Sequence, residues 1–125
     1  TNSDRNRIRG EALNVALGEV TGASETNEYV HTDVVNGDEL RREEGIPPPD
    51  LVKIDVDGPE LHVLRGLEGT LSAGPRLVWI EVHPNRLESR GHSLSALVAF
   101  LRELGFTVEE RSLTGLKSPY LRASR

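Results

Sequence analysis

Apolar positions are scattered through the first fifty residues and become periodic afterwards. Residues 1–10 (TNSDRNRIRG) hold a single apolar side chain, Ile8, which predicts a weakly ordered lead-in unable to bury much surface. Residues 12–17 (ALNVAL) alternate imperfectly into Thr21-Gly22 and read as a strand running into a turn. Residues 28–35 form a second β-like stretch, Asn36-Gly37 interrupts it, and 38–44 (DELRREE) predict a short polar helix stopped by Gly45. Pro47, Pro48 and Pro49 have no amide donors, so they form an extended connector.

The second half carries clearer signals. Residues 51–56 (LVKIDV) make a β-branched strand, halted by Asp57-Gly58-Pro59. Over 60–72, Leu61, Leu64, Leu67 and Leu71 recur at helical spacing before Gly74-Pro75. Residues 76–82 (RLVWIEV) are nearly continuous in apolar character, as in a strand covered on both faces, with Trp79 in the core and Pro84 as terminator. Residues 93–104 predict an amphipathic helix with Ser93 as N-cap and Gly105 as stop. Residues 106–110 and 120–123 read as two final strands. The order 51–56, 60–72, 76–82 is a strand–helix–strand crossover, which makes its two strands parallel and brings their carboxyl ends to one edge. In open α/β sheets the ligand crevice lies along that edge.

Composition narrows the field. The chain has 125 residues, enough for one domain, and a formal charge of −5 with only 4% aromatic residues. An acidic, ring-poor chain lacks the clustered cations and stacking platforms of a general nucleic-acid binder. The Arg-rich ends, Arg5, Arg7 and Arg9 and then Arg122 and Arg125, are read as solvated. There is no cysteine, which removes thiolate chemistry and Cys-based zinc sites. No apolar run reaches the roughly 20 residues of a membrane span, and no leader is evident, so the expected location is cytoplasmic. The first residue is Thr1, so the chain is expected to be part of a longer protein.

Asp55, Asp57 and Glu60 crowd the end of the first strand of the crossover, and Glu81 and His83 end the second. If those strands are neighbours, about 4.8 Å apart, the side chains converge on one cleft. Asp55, between Ile54 and Val56, is the hardest to explain as structure alone. A carboxylate there needs hydrogen bonds, a partner or a cleft. Plainer uses exist for the others: Glu60 complements a helix N-terminus, Asp57 shapes a turn, and Lys53 pairs with Asp55. His31, His62 and His92 show no ligand spacing, and no metal site is assigned. IDVDGPE fails as a calcium loop, because Pro59, Glu60 and Gly66 stand where an oxygen ligand, Gly and Glu are needed. The run Asp55-Val56-Asp57-Gly58 matches the Asp-x-Asp-Gly of magnesium-dependent haloacid-dehalogenase-like phosphatases. That pattern also needs a later strand ending in Ser or Thr, where this chain has Glu81, and a downstream Lys, for which Lys117 alone is present.

Three linked blocks, NVALGEVTG (14–22), PDLVKIDVDGPELHVLRGLEGTL (49–71) and LVWIEVHP (77–84), resemble the FkbM family of S-adenosylmethionine-dependent methyltransferases. The family pattern runs approximately Lys-Ile-Asp-x-Glu-Gly-x-Glu and later Glu-x-His. Asp57 stands where Glu is usual and Pro59 where Ala is common. The resemblance implies an α/β, Rossmann-like class I sheet with strand order 3-2-1-4-5-7-6, and methyl transfer to an oxygen of a small molecule, sugar or lipid. It implies S-adenosylmethionine as cofactor, with Asp55, Asp57, Glu60 and His83 at the reaction edge and Ala16 and Leu17 near the adenine. The family's Gly-rich cofactor turn is not in this sequence. So aligned, residues 1–125 are the C-terminal portion of one methyltransferase domain lacking its first two strands, and they bind cofactor poorly alone. A non-catalytic α/β interaction module is the alternative.

Overall fold

A computed structural model describes residues 9–22, 24–26, 31–112 and 118–125. Residues 1–8 of the expected lead-in, the first three of the stretch at 28–35, and Lys117 lie outside the described residues. The elements are β1 (Ala16–Gly18), β2 (Ser24–Thr26), β3 (His31–Asn36), α1 (Gly37–Glu43), β4 (Leu51–Ile54), α2 (Glu60–Gly66), α3 (Glu68–Ala73), β5 (Leu77–Glu81), α4 (Pro84–Ser89), α5 (Leu94–Glu103), β6 (Thr107–Arg111) and β7 (Tyr120–Ser124). Among the described residues they form a three-stranded sheet, β1-β3-β2, and a four-stranded sheet, β4-β5-β7-β6.

The crossover is as expected. β4 and β5 are parallel neighbours, in register from Leu51 opposite Leu77 to Ile54 opposite Ile80. β7 lies antiparallel between β5 and β6. One face of this sheet presents Ile54, Val78, Ile80, Leu121 and Ala123 to Leu61 and Leu64 of α2, Leu71 of α3, and Leu97 and Leu101 of α5, all within one apolar core. Phe106 joins that core just ahead of β6.

The opposite face is not covered among the described residues, which corrects the two-sided burial expected of 76–82. Along β5, Leu77, Trp79 and Glu81 are half-buried while Val78 and Ile80 are fully buried. Trp79 therefore sits on the open face rather than in the core, tilted against Tyr120 with ring centroids 5.4 Å apart. Apolar character reports a preference for burial, and an outward strand position overrides it.

The helix expected over 60–72 is two helices meeting at Leu67. The Leu67 amide reaches both Val63 O and Leu64 O at 3.1 Å, the tightening of a terminating turn. Leu67 has no polar side chain to cap α3. Asp38 of α1 does so instead, accepting from Gly69 N at 2.7 Å, Thr70 N at 2.8 Å and Thr70 Oγ1 at 2.6 Å. The end of α2 and the end of β1 touch closely: a Cβ on Gly66 would lie 1.9 Å from Gly18 O.

Three other local features differ from the sequence pattern or sharpen it. Pro84, expected to terminate β5, lies beyond the strand's end at Glu81 and begins α4, where its missing amide costs nothing. Ser93 caps α5 as expected, accepting from Ala96 N at 3.1 Å. Arg125, read as solvated, donates to Leu71 O at 2.7 Å and Leu104 O at 2.8 Å and lies 4.1 Å over the Phe106 ring. It thus satisfies carbonyls at the ends of two helices.

Candidate active site

The parallel pairing of β4 and β5 sets the site. Asp55 follows β4, Glu81 ends β5, and His83 lies two residues beyond it on the same side by strand alternation. One ligand atom from each of Asp55, Glu81 and His83 lies within 4.8 Å of the other two, so the acidic strand ends do share one mouth. Lys53, one alternation before Asp55, places Nζ 3.3 Å from Asp55 Oδ2 in an exposed pair.

Tyr120 completes the rim. It stands opposite Glu81 in the β5–β7 register. Desolvation, and after it the charges of Glu81 and Asp55, hold the phenol above its ordinary value. Periodicity offered no sign of Tyr120, because β7 is remote in sequence and only the register brings it here.

Behind this rim lies Glu60, the first residue of α2, with no exposed surface. Its Oε1 lies 3.3 Å from Gly58 N, 3.3 Å from His83 N and 3.2 Å from His83 Nδ1. Its Oε2 has no hydrogen-bond partner among the described residues. A carboxylate facing Nδ1 assigns the proton to that nitrogen and leaves the lone pair of neutral His83 on Nε2. Gly58 makes the arrangement available: its φ of +111° is one that L side chains rarely adopt, and a Cβ there would meet Arg86 O at 3.3 Å. Glu60 therefore does more than complement a helix end, since it ties the two strand-end loops together.

The remaining expected residues are placed elsewhere. Asp57 is held by Arg86 of α4 at 2.8 Å, with both side chains more than half exposed. It is not in the group formed by Asp55, Glu81 and His83. Ala16 and Leu17 lie half-buried in β1 of the other sheet, with Leu17 packed against the main core. His62 and His92 meet edge to face at 4.6 Å, and Glu19 lies 3.1 Å from His62 Nδ1. A separate open groove of about 580 Å³ beside α1, lined by Asp38, Arg41, Arg42, Gly45, Ile46 and Gly69, contains none of the strand-end carboxylates. No helix among the described residues is long and apolar enough to cross a membrane.

Residues 2–108 match the model of the methyltransferase FkbM domain. The chain belongs to the FkbM methyltransferase family. Within that family it is 38% identical over 84 residues to the 31-O-demethyl-FK506 methyltransferase FkbM of Streptomyces tacrolimicus, an alignment covering 67% of this chain and 30% of the relative. It is 41% identical over 49 residues to the hexuronic acid methyltransferase AglP of Haloferax volcanii, covering 39% of this chain and 20% of that protein. The crystal structure of methyltransferase FkbM from Methylobacillus flagellatus KT superposes with a TM-score of 0.59 at 18% identity, over 87% of this chain and 27% of its own. This chain thus shares that mixed α/β fold while spanning less than a third of the length of these proteins.

Proposed function

We propose that the protein containing this chain transfers the methyl group of S-adenosylmethionine to a hydroxyl oxygen of a small molecule, sugar or lipid head group. One observation carries the reading: in an FkbM-family chain, Asp55, Glu81 and His83 converge at the carboxyl ends of two parallel strands. Two relatives are named for acceptors, a hexuronic acid and a 31-O-demethyl compound, and oxygen transfer fits both names. The order β4-β5-β7-β6, with β7 antiparallel, agrees with the 4-5-7-6 half of a class I methyltransferase sheet. We take the chain as that half of a Rossmann-like domain, with the two missing strands expected beyond β4.

The bound cofactor would supply a methyl group on a positively charged sulfonium. The donor set suits such a group in part. Asp55 and Glu81 complement positive charge near the mouth, and Ala16 and Leu17 are assigned to the adenine side. The family's Gly-rich turn, however, is not in these 125 residues. For the acceptor, Asp55 orients the hydroxyl and Nε2 of His83 takes its proton. Glu60 holds the imidazole in that tautomer and balances the imidazolium that forms. Asp57 supports the site by fixing α4 through Arg86.

Methyl transfer from radiolabelled S-adenosylmethionine to a panel of hydroxyl acceptors tests the reading. His83→Ala is expected to reduce turnover on the order of 10²–10⁴-fold. Absence of transfer to every oxygen acceptor by the whole protein would overturn it. Calorimetry with the 125 residues alone should show little cofactor binding, and micromolar affinity would contradict the half-domain assignment.

A further inference from the structure

We propose that Asp55, Glu81 and His83 form a binding site for a divalent cation of the Mn²⁺ or Mg²⁺ class. The three side chains offer two carboxylate oxygens and one imidazole nitrogen, each within 4.8 Å of the others. Some point then lies no more than about 2.8 Å from all three, so small side-chain movements reach the roughly 2.0–2.6 Å of metal–ligand bonds. A set of two carboxylates and one imidazole suits hard to borderline cations.

Glu60 supplies the independent observation. It is fully buried, its carboxylate is turned onto His83, and its Oε2 has no partner among the described residues. A buried carboxylate so placed is costly unless opposite charge lies nearby. Around His83, the three carboxylates of Asp55, Glu60 and Glu81 meet Lys53 as the cation paired within the group. A divalent ion adds positive charge to that group. Glu60 also does what carboxylates behind metal-bound histidines do: it accepts the Nδ1–H hydrogen bond and leaves Nε2 for the ion. The open mouth, with Asp55 exposed and His83 half-buried, gives the ion an entry path and leaves coordination positions for an acceptor.

The consequence for catalysis rests on the methyl-transfer reading; the site itself does not. A cation held by Asp55, Glu81 and His83 would occupy Nε2 and would itself supply the acidification of the acceptor hydroxyl, whereas in its absence Nε2 is free to act as the base proposed above.

Titration of the metal-free protein with MnCl₂, followed by electron paramagnetic resonance of free Mn²⁺, tests the site without an activity assay. One saturable site is expected, weakened at least about 10-fold by Asp55→Asn, Glu81→Gln or His83→Ala and unchanged by Glu109→Gln at the far side of the sheet. Lys53→Ala should tighten binding several-fold, because it frees Asp55 from a competing cation. That gain of affinity cannot come from misfolding. No saturable binding, or binding indifferent to all four substitutions at the site, would overturn the proposal. Methyl transfer that survives a chelator in a protein without Mn²⁺ binding defeats the cation site alone. Mn²⁺ binding that depends on these residues in a protein without methyl transfer supports the cation site and defeats the functional reading instead.

Discussion

Nδ1 of His83 lies 3.2 Å from Oε1 of Glu60, a carboxylate with no exposed surface, so the residue that opens α2 is fastened to the loop that follows β5. The same oxygen receives the amides of Gly58 and His83. Truncating Glu60 therefore leaves two backbone donors and an imidazole unpaired at once. Glu60→Ala should destabilise the fold on the order of 3 kcal/mol by urea denaturation. Glu60→Gln keeps an acceptor oxygen and should cost well under half of that, while still lowering methyl transfer, because the negative charge facing His83 is gone. Equal stability losses for the two variants would show that packing, not the carboxylate, holds the loops together.

Asp38 bridges α1 to α3 by accepting from two amides and a hydroxyl. Its partners are the N-terminal donors of a six-residue helix whose own preceding residue, Leu67, offers no cap. Asp38→Ala should cost about 1–3 kcal/mol, and Asp38→Asn less, since one amide oxygen still accepts. A midpoint of urea unfolding unchanged within error in Asp38→Ala would refute this capping role.

These two contacts show what could and could not be read along the chain. The leucine spacing at 61, 64, 67 and 71 revealed a helical face but not its division, because the break depends on Asp38, some thirty residues earlier. The alternation through Lys53 and Asp55 told which of those side chains share a face, and the crossover rule made the strands neighbours. That was enough to assemble Asp55, Glu81 and His83. It was not enough for Tyr120, which arrives only through the register of β7, nor for the burial of Glu60, whose carboxylate is met by the Gly58 amide and by His83 after β5. Asp57 looks equivalent to Asp55 by alternation, yet the strand has already ended there, and the turn delivers it to Arg86. Trp79 misled because a large apolar residue on an outward position has the same composition signature as one in the core.

The contact between α2 and β1 tolerates no side chain at position 66. A Cβ there would sit 1.9 Å from the carbonyl oxygen of Gly18 and 2.9 Å from its carbon, both backbone atoms that cannot swing aside. Helix propensity alone favours alanine over glycine, so a gain of up to ~1 kcal/mol is what an open site would give. Here the forced separation of helix and strand should win. Gly66→Ala is expected to lose about 1–3 kcal/mol by thermal or urea unfolding. A more stable variant would mean that α2 is not seated on β1 as described.

The last expectation concerns pH. His92 sits against His62 at 4.6 Å, and its Nδ1 is buried without a partner among the described residues. Desolvation first, then the charges of His62, Arg65 and Arg90, hold its pKa below 6.5, with Glu19 opposing them. The folded chain thus resists a proton that the unfolded chain accepts near pH 6.5. This contribution to stability is fully present above that value and is lost as the pH falls through the lower folded value. The ring is partly exposed, so solvent screening keeps the slope shallow. Urea midpoints of the parent protein should drop between pH 7.5 and 5.5, and His92→Asn should drop less over the same interval. A steeper decline in His92→Asn would reverse the sign of the linkage and place the sensitive group elsewhere.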